Sequence, residues 1–200
     1  MSQSSHLYIA FDPVAFSIGP LSVHWYGIMY LLAFGFFWAW GSHVARTRSW
    51  WGFKPEDVGD MLFYGMLGVV VGGRLGYVLF YGLDSLLRDP MFLFRVTEGG
   101  MSFHGGLLGV IAAMWWFGRK SGRGFWAVAD FVAPLVPIGL ALGRLGNFIG
   151  GELWGRPGDV PWAVVFPDPA AGGVARHPSQ LYEAVLEGLL LFVVLWSIRK

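Results

Sequence analysis

Apolar residues gather along this chain in long blocks, and polar residues collect in the short stretches between them. The run 131-FVAPLVPIGLAL-142 is one of the longest of these blocks. A bilayer core of about 30 Å needs ~20 apolar residues per helix. On that measure the blocks predict five spans, at about 22–44, 60–82, 103–118, 127–148 and 179–198. The linkers are polar or rich in Pro and Gly: 46-RTRSWWGFKPED-57, 83-LDSLLRDPMFLFRVTEGG-100, 119-RKSGRG-124 and the long segment 149–178. The expected fold is all-α, a polytopic transmembrane bundle forming one membrane-embedded domain over residues 1–200.

Composition agrees with the blocks. The 200 residues are 55% hydrophobic, 18% aromatic and only 14% charged, where a soluble domain carries about a quarter charged residues. Thirty glycines and eleven tryptophans fit close helix approach and boundary anchoring. A chain this short cannot hide that much apolar surface in a soluble core. The net charge of +1, without a basic run, gives no reason to expect nucleic acid as a partner. With no cysteine, the chain has no disulfide frame, Cys-ligated metal or thiol nucleophile of its own. The opening MSQSSHLYIAFDPVAFSIGP lacks the basic and apolar regions of a cleaved signal peptide.

Positive charge sets the expected orientation. Arg46, Arg48, Lys54, Arg119, Lys120, Arg123, Arg199 and Lys200 fall on one side of the five spans. Arg88, Arg95, Arg156 and Arg176 fall on the other, while Arg74 and Arg144 lie within spans. The richer side should be cytoplasmic, with the N-terminus and the 149–178 loop outside. The polar residues of the spans then collect at the outer level. His24 and Tyr26 begin span one, His104 opens span three, Arg144 and Asn147 close span four, and Glu152 and Arg156 follow in the outer loop. The stretch 177-HPSQLYEAVLE-187 opens span five from the same side.

Many of these residues have ordinary readings. Trp25, Trp115 and Trp116 suit an aromatic belt, and His24, His6 and His43 suit the surface or boundary. Arg74 suits either an internal pair or a functional role, and Glu183 and Glu187 can serve to bind neighbouring helices. Arg144 is different, because a cation at the edge of a span costs a few kcal/mol and faces a partner or a wet cavity. Asn147, three residues on, shares its face, and Gly139, Gly143 and Gly146 leave room beside them. The guanidinium fork matches phosphate oxygens, and Asn adds a donor and an acceptor. Together they read as a phospholipid phosphate site opening sideways to the outer leaflet.

The stretches 24-HWYG-27, 102-SFHGG-106, 143-GRLGNFIGGELWG-155 and 177-HPSQLYE-183, in this order and spacing, closely resemble the bacterial prolipoprotein diacylglyceryl transferase family. The resemblance covers residues 20–200 and departs at Gly150, where the family usually has Asn. It implies transfer of the diacylglyceryl group of phosphatidylglycerol to the lipobox cysteine of prolipoprotein signal peptides, releasing glycerol 1-phosphate. It also implies a multi-pass protein of the bacterial inner membrane, facing the outer leaflet and in contact with membrane lipids. Tyr26, His104, Arg144, Asn147, Glu152 and Gly155 match positions that the family uses for binding or catalysis, with Arg144 as the phosphatidylglycerol-binding arginine. The family usually has seven spans, which implies two more, and a later segment bearing Arg, Glu and Tyr, beyond 198-IRK-200.

Under that resemblance the nucleophile is the substrate's own thiol, which must become a thiolate. His104 is the best base candidate, since an unperturbed imidazole has a pKa of about 6.5. Arg144 would stabilise charge on the leaving phosphate, Asn147 would orient the headgroup, and Glu152 would hold Arg144 or bind headgroup hydroxyls. Tyr26 would donate a hydrogen bond to phosphate or thiolate, and no metal or redox cofactor is implied. The residues taken alone also leave open an anion transporter using Arg144 and Arg74, or a non-catalytic phospholipid-binding protein that needs Arg144 and Asn147 but not His104.

Overall fold

The computed structural model describes residues 6–96 and 99–198. Arg199 and Lys200, counted above among the inner cations, lie outside the described residues. Strands come first: β1 (Leu7–Tyr8), β2 (Val14–Ile18) and β3 (Leu21–His24). β2 and β3 pair as an antiparallel hairpin around Gly19 and Pro20, with Gly19 at a φ of 59°, a conformation that costs glycine nothing. Helix α1 (Trp25–Thr47) follows directly, so residues 22–24 belong to the hairpin rather than to the first helix.

Helices α2 (Pro55–Tyr81), α3 (Leu83–Arg88), α4 (Phe103–Lys120), α5 (Phe125–Val132) and α6 (Val136–Gly150) occupy the middle of the chain. β4 (Val164–Val165) and β5 (Ala175–Arg176) then lie within the segment expected as the outer loop. The chain closes with α7 (Ser179–Glu183), a π-helical stretch over Ala184–Leu190 and α8 (Leu191–Ile198). Among the described residues, four helical stretches are long and apolar enough to cross a membrane: Trp25–Thr47, Pro55–Tyr81, Phe125–Gly150 and Ser179–Ile198. The 18-residue α4 covers the remaining expected span but is not among those four. Leu31, Phe63, Leu79, Leu108, Leu189 and Val193 stand exposed on these helices, as lipid-facing side chains do. The chain is a polytopic helical membrane protein.

Two compact units make up the fold. In the unit Trp40–Val132, α2 and α4 meet through glycines. A Cβ on Gly76 would lie 2.8 Å from the Gly105 Cα, and one on Gly72 or Gly109 would collide with a carbonyl oxygen of the facing helix. The two backbones therefore touch, as small residues permit in membrane helices. Arg74, only 3% exposed, is satisfied inside this unit without a carboxylate among the described residues. Its Nε donates to the Leu93 carbonyl (3.0 Å), its Nη1 to Gly99 (2.6 Å) and Gly100 (3.2 Å), and its Nη2 to Phe92. Of the two roles open to Arg74 in the sequence, its contacts describe the structural one: it ties the loop after α3 to α2.

The other unit joins Met1–Ala39 with Ala133–Lys200. Here α6 packs against the π-helical stretch, where Gly188 admits the Ala141 side chain. β1 runs parallel to β4, and β5 pairs with β4 antiparallel, giving the order β1-β4-β5. Val164, Phe166 and Ala171 are buried beneath this small sheet, with Ile9, Phe148 and Trp154 packed against them. Phe148 lies on α6, so the helix that carries Arg144 is anchored in this apolar cluster.

Candidate active site

The end of α6 builds the polar cluster. Gly151 adopts a φ of 69° and donates its N–H to Phe148 O (3.1 Å), while Glu152 N–H reaches back to Asn147 O (3.0 Å). This paired pattern is a Schellman stop, and it depends on a residue that tolerates the left-handed conformation. Folding back in this way sets Glu152 beside Asn147, and their side chains join as well, Nδ2 donating to Oε1 at 2.8 Å. Asn147 is buried and Glu152 exposed, so the pair links the helix interior to its wet end.

Gly146 makes the adjoining contact. A Cβ there would lie 3.0 Å from Tyr26 Cδ2, so glycine lets the Tyr26 ring lie against α6. The Tyr26 and Tyr30 hydroxyls are 3.1 Å apart, one turn apart on α1. A cavity of about 470 Å³ opens beside them, lined by Pro13, His24, Trp25, Tyr26, Gly27, Gly146, Ile149, Gly150 and Glu152. Its size falls in the range of small-molecule sites. Tyr26, Asn147 and Glu152 are thus brought into one neighbourhood, with Gly150 on the cavity wall.

Arg144 finds a partner that was not singled out for it. Its Nε lies 2.6 Å from Glu183 Oε2, each side chain about one-third exposed. Glu152, a candidate holder of Arg144, engages Asn147 instead. Among the described residues the two Nη atoms of Arg144 take no hydrogen bond, so one edge of the fork remains open. Glu183 was legible as a helix-binding carboxylate. The one signal for its pairing with Arg144 is that Glu183 and Glu187 are the acidic residues of the final span.

Gly155 stands apart from the cavity lining. Its N–H donates to His177 O (3.0 Å), and a Cβ there would sit 2.7 Å from that same oxygen. Its carbonyl accepts from Arg176 Nη1 (3.1 Å), whose Nε also holds Ala171 O (2.7 Å). Gly155 therefore lets two loop segments touch, which is a reason for glycine separate from substrate contact. His104 belongs to the other unit. It is exposed in the first turn of α4, its ring edge-on to Phe103, behind the Ser102 cap whose Oγ accepts from Gly105 N–H at 3.2 Å. Gln180, whose role the residue pattern does not reveal, is 1% exposed and donates to the Glu152 carbonyl at 2.6 Å.

Residues 13–200 match the family model described as prolipoprotein diacylglyceryl transferase. A Solidesulfovibrio magneticus protein named phosphatidylglycerol–prolipoprotein diacylglyceryl transferase is 62% identical over 186 residues, covering 93% of this chain and 70% of that protein. A Vibrio vulnificus protein of the same name is 61% identical over 202 residues, covering 100% of this chain and 73% of its own length. One from Aeromonas hydrophila is 60% identical over 185 residues, covering 92% of this chain and 66% of that protein. An end-to-end match at this identity, joined to an arginine, an amide and a carboxylate at the end of an apolar helix, places the chain in the prolipoprotein diacylglyceryl transferase family.

Proposed function

We propose that this protein transfers the diacylglyceryl group of phosphatidylglycerol to the lipobox cysteine thiol of a prolipoprotein, the first step of bacterial lipoprotein maturation. The observation that carries this reading is the open edge of the Arg144 guanidinium at the end of an apolar helix, with the Asn147–Glu152 pair on the same helix end. An Arg fork engages two oxygens of one phosphate at once, and Lys cannot reproduce that geometry.

In the reaction the substrate thiol gives its proton to a base, and the thiolate attacks the glycerol carbon that bears the phosphate ester. A C–S bond forms as the C–O bond breaks, and the electron pair leaves with glycerol 1-phosphate. Arg144 stabilises the charge gained by the phosphate. Asn147 and Glu152 orient the headgroup, the latter through the carboxylate oxygen not engaged by Asn147. Tyr26, on the cavity wall, donates a hydrogen bond to phosphate or thiolate. The sequence resemblance supports His104 as the base. Gly155 contributes by keeping the loop after α6 closed on His177. The relatives' shared name gives no support to anion transport.

The protein lies in the inner membrane with its N-terminus and segment 149–178 outside, so that the site faces the outer leaflet. All five apolar segments then cross the bilayer. Cysteines placed at Gly122 and Val160 test this, and only the second should react with an impermeant reagent from the periplasm. Reaction of both from one side overturns the orientation. The activity itself is tested by transfer from phosphatidylglycerol to a lipobox peptide, with wild-type turnover and loss in Arg144→Ala expected. Unimpaired transfer by Arg144→Ala overturns the assignment of Arg144.

A further inference from the structure

We propose that Gln180 is a positioning residue for Glu152, acting together with Ser179 as a two-point clamp on the turn after α6. This rests on the diacylglyceryl-transfer reading above. Three observations converge on that turn. Leu153 sits at a φ of 56°, and among the described residues it is the one non-glycine at positive φ. An L-residue with a bulky side chain resists that conformation, and it persists only where its surroundings over-determine it. The surroundings here are two consecutive hydrogen bonds from the start of α7. Gln180 Nε2 donates to Glu152 O at 2.6 Å, and Ser179 Oγ donates to Leu153 O at 3.0 Å.

The clamp is not explained by packing. Gln180 is 1% exposed, and its Oε1 is buried with no hydrogen-bond partner among the described residues. A buried acceptor left unpaired is unfavourable, so an apolar side chain of similar volume would serve a packing role better. What glutamine supplies is the Nε2 donor, and that donor fixes the carbonyl of the residue whose carboxylate holds Asn147. With the clamp in place, Leu153 stays left-handed and Glu152 stays folded back on Asn147. Without it, Leu153 relaxes to negative φ and swings the Glu152 carboxylate away from the amide. Gln180 need not touch substrate.

The test is a double-mutant cycle between Gln180→Leu and Leu153→Gly in the enzyme in native membranes, using phosphatidylglycerol and a lipobox peptide. A displacement of about 1 Å at a positioned group costs up to ~100-fold, so Gln180→Leu should lower kcat/KM by at least tenfold, mostly through KM for phosphatidylglycerol. Leu153→Gly alone should stay within about threefold, since the Leu153 side chain is exposed and glycine accepts positive φ freely. The double variant should recover at least about threefold over Gln180→Leu, because glycine keeps the turn without the clamp. A purely packing role gives the opposite sign, since added backbone freedom only loosens the turn further. A double variant no better than Gln180→Leu overturns the proposal. Amide exchange at Glu152 N–H, bonded to Asn147 O, reads the clamp without chemistry: it should quicken in Gln180→Leu and slow again in the double variant. If the wild-type enzyme transfers no diacylglyceryl group, the activity reading fails while amide exchange still decides the clamp. Unchanged exchange in Gln180→Leu overturns the clamp whatever the activity.

Discussion

Removing Glu183 separates two things that it does for Arg144. The carboxylate supplies a negative charge 2.6 Å from Nε, and it places an oxygen beside that edge of the guanidinium. Unit charges at about 4 Å interact by ~4 kcal/mol at an effective dielectric of 20 and by ~1 kcal/mol in water. Both partners are 32% exposed, so solvent screening pulls the value toward the lower limit, to about 1–2 kcal/mol. At 1.36 kcal/mol per tenfold, that corresponds to about 5–30-fold in kcat/KM if the orientation of Arg144 is needed in the transition state. Glu183→Ala loses the charge and the oxygen, and should show this full loss. Glu183→Gln keeps a neutral oxygen beside Nε but loses the same charge, so it should fall nearly as far as the Ala variant. The remaining open edge of Arg144 would still take phosphate in both variants. The assay is steady-state transfer to a lipobox peptide with phosphatidylglycerol varied, alongside thermal stability of each variant. Glu183→Ala within about twofold of wild type would show that Glu183 does not act through Arg144 in the transition state, because 1–2 kcal/mol cannot vanish at a site where Arg144 matters. A much smaller loss in the Gln variant than in the Ala variant would show that the oxygen rather than the charge is what Glu183 contributes.

Other substitutions separate site from scaffold. Arg144→Lys should lose nearly as much phosphatidylglycerol turnover as Arg144→Ala, about 10²-fold or more, because a point charge cannot replace the planar fork. Gly155→Ala should lower both stability and turnover, since its Cβ would sit 2.7 Å from His177 O; a normal melting temperature with normal turnover would show that the loop yields freely. Arg74→Leu should destabilise by at least about 3 kcal/mol, because four carbonyls lose their buried donor, while KM for phosphatidylglycerol in the surviving protein stays unchanged.

Helix locations were legible because block hydrophobicity at bilayer length has few other meanings, and the apolar blocks overlap α1, α2, α4, the stretch Phe125–Gly150 and the final helix. That Arg144 needs a partner was legible for the same reason: a cation at the end of an apolar run has to be accounted for, and Glu183 stands beside it. The strands were not legible. β1, β4 and β5 have only two residues each, too few to carry a period, and β2–β3 merges into the apolar opening of α1. Glycine and proline at positions 19 and 20 marked the hairpin turn in retrospect. The partner of Arg144 was missed because proximity in sequence favours Glu152, five residues from Asn147, whereas Glu183 reaches α6 only once the final helix is packed. The π-helical stretch just after Glu183 also shifts which residues face α6, and nothing in the composition announces it. Arg74 shows the same limit from another side, since backbone carbonyls leave no trace in a residue pattern.

We propose that Arg144 binds the phosphate of a phospholipid whose diacylglyceryl group moves to a cysteine thiol. One measurement reaches it directly: wild-type and Arg144→Ala protein, each in phosphatidylglycerol vesicles with a lipobox peptide, followed by mass spectrometry of the peptide and by glycerol 1-phosphate release. The expected products are a thioether-linked diacylglyceryl peptide and glycerol 1-phosphate in equal amounts from the wild type, and about a hundredfold less of both from a folded Arg144→Ala protein. No modified peptide from the wild type, or equal amounts from the two proteins, would contradict it.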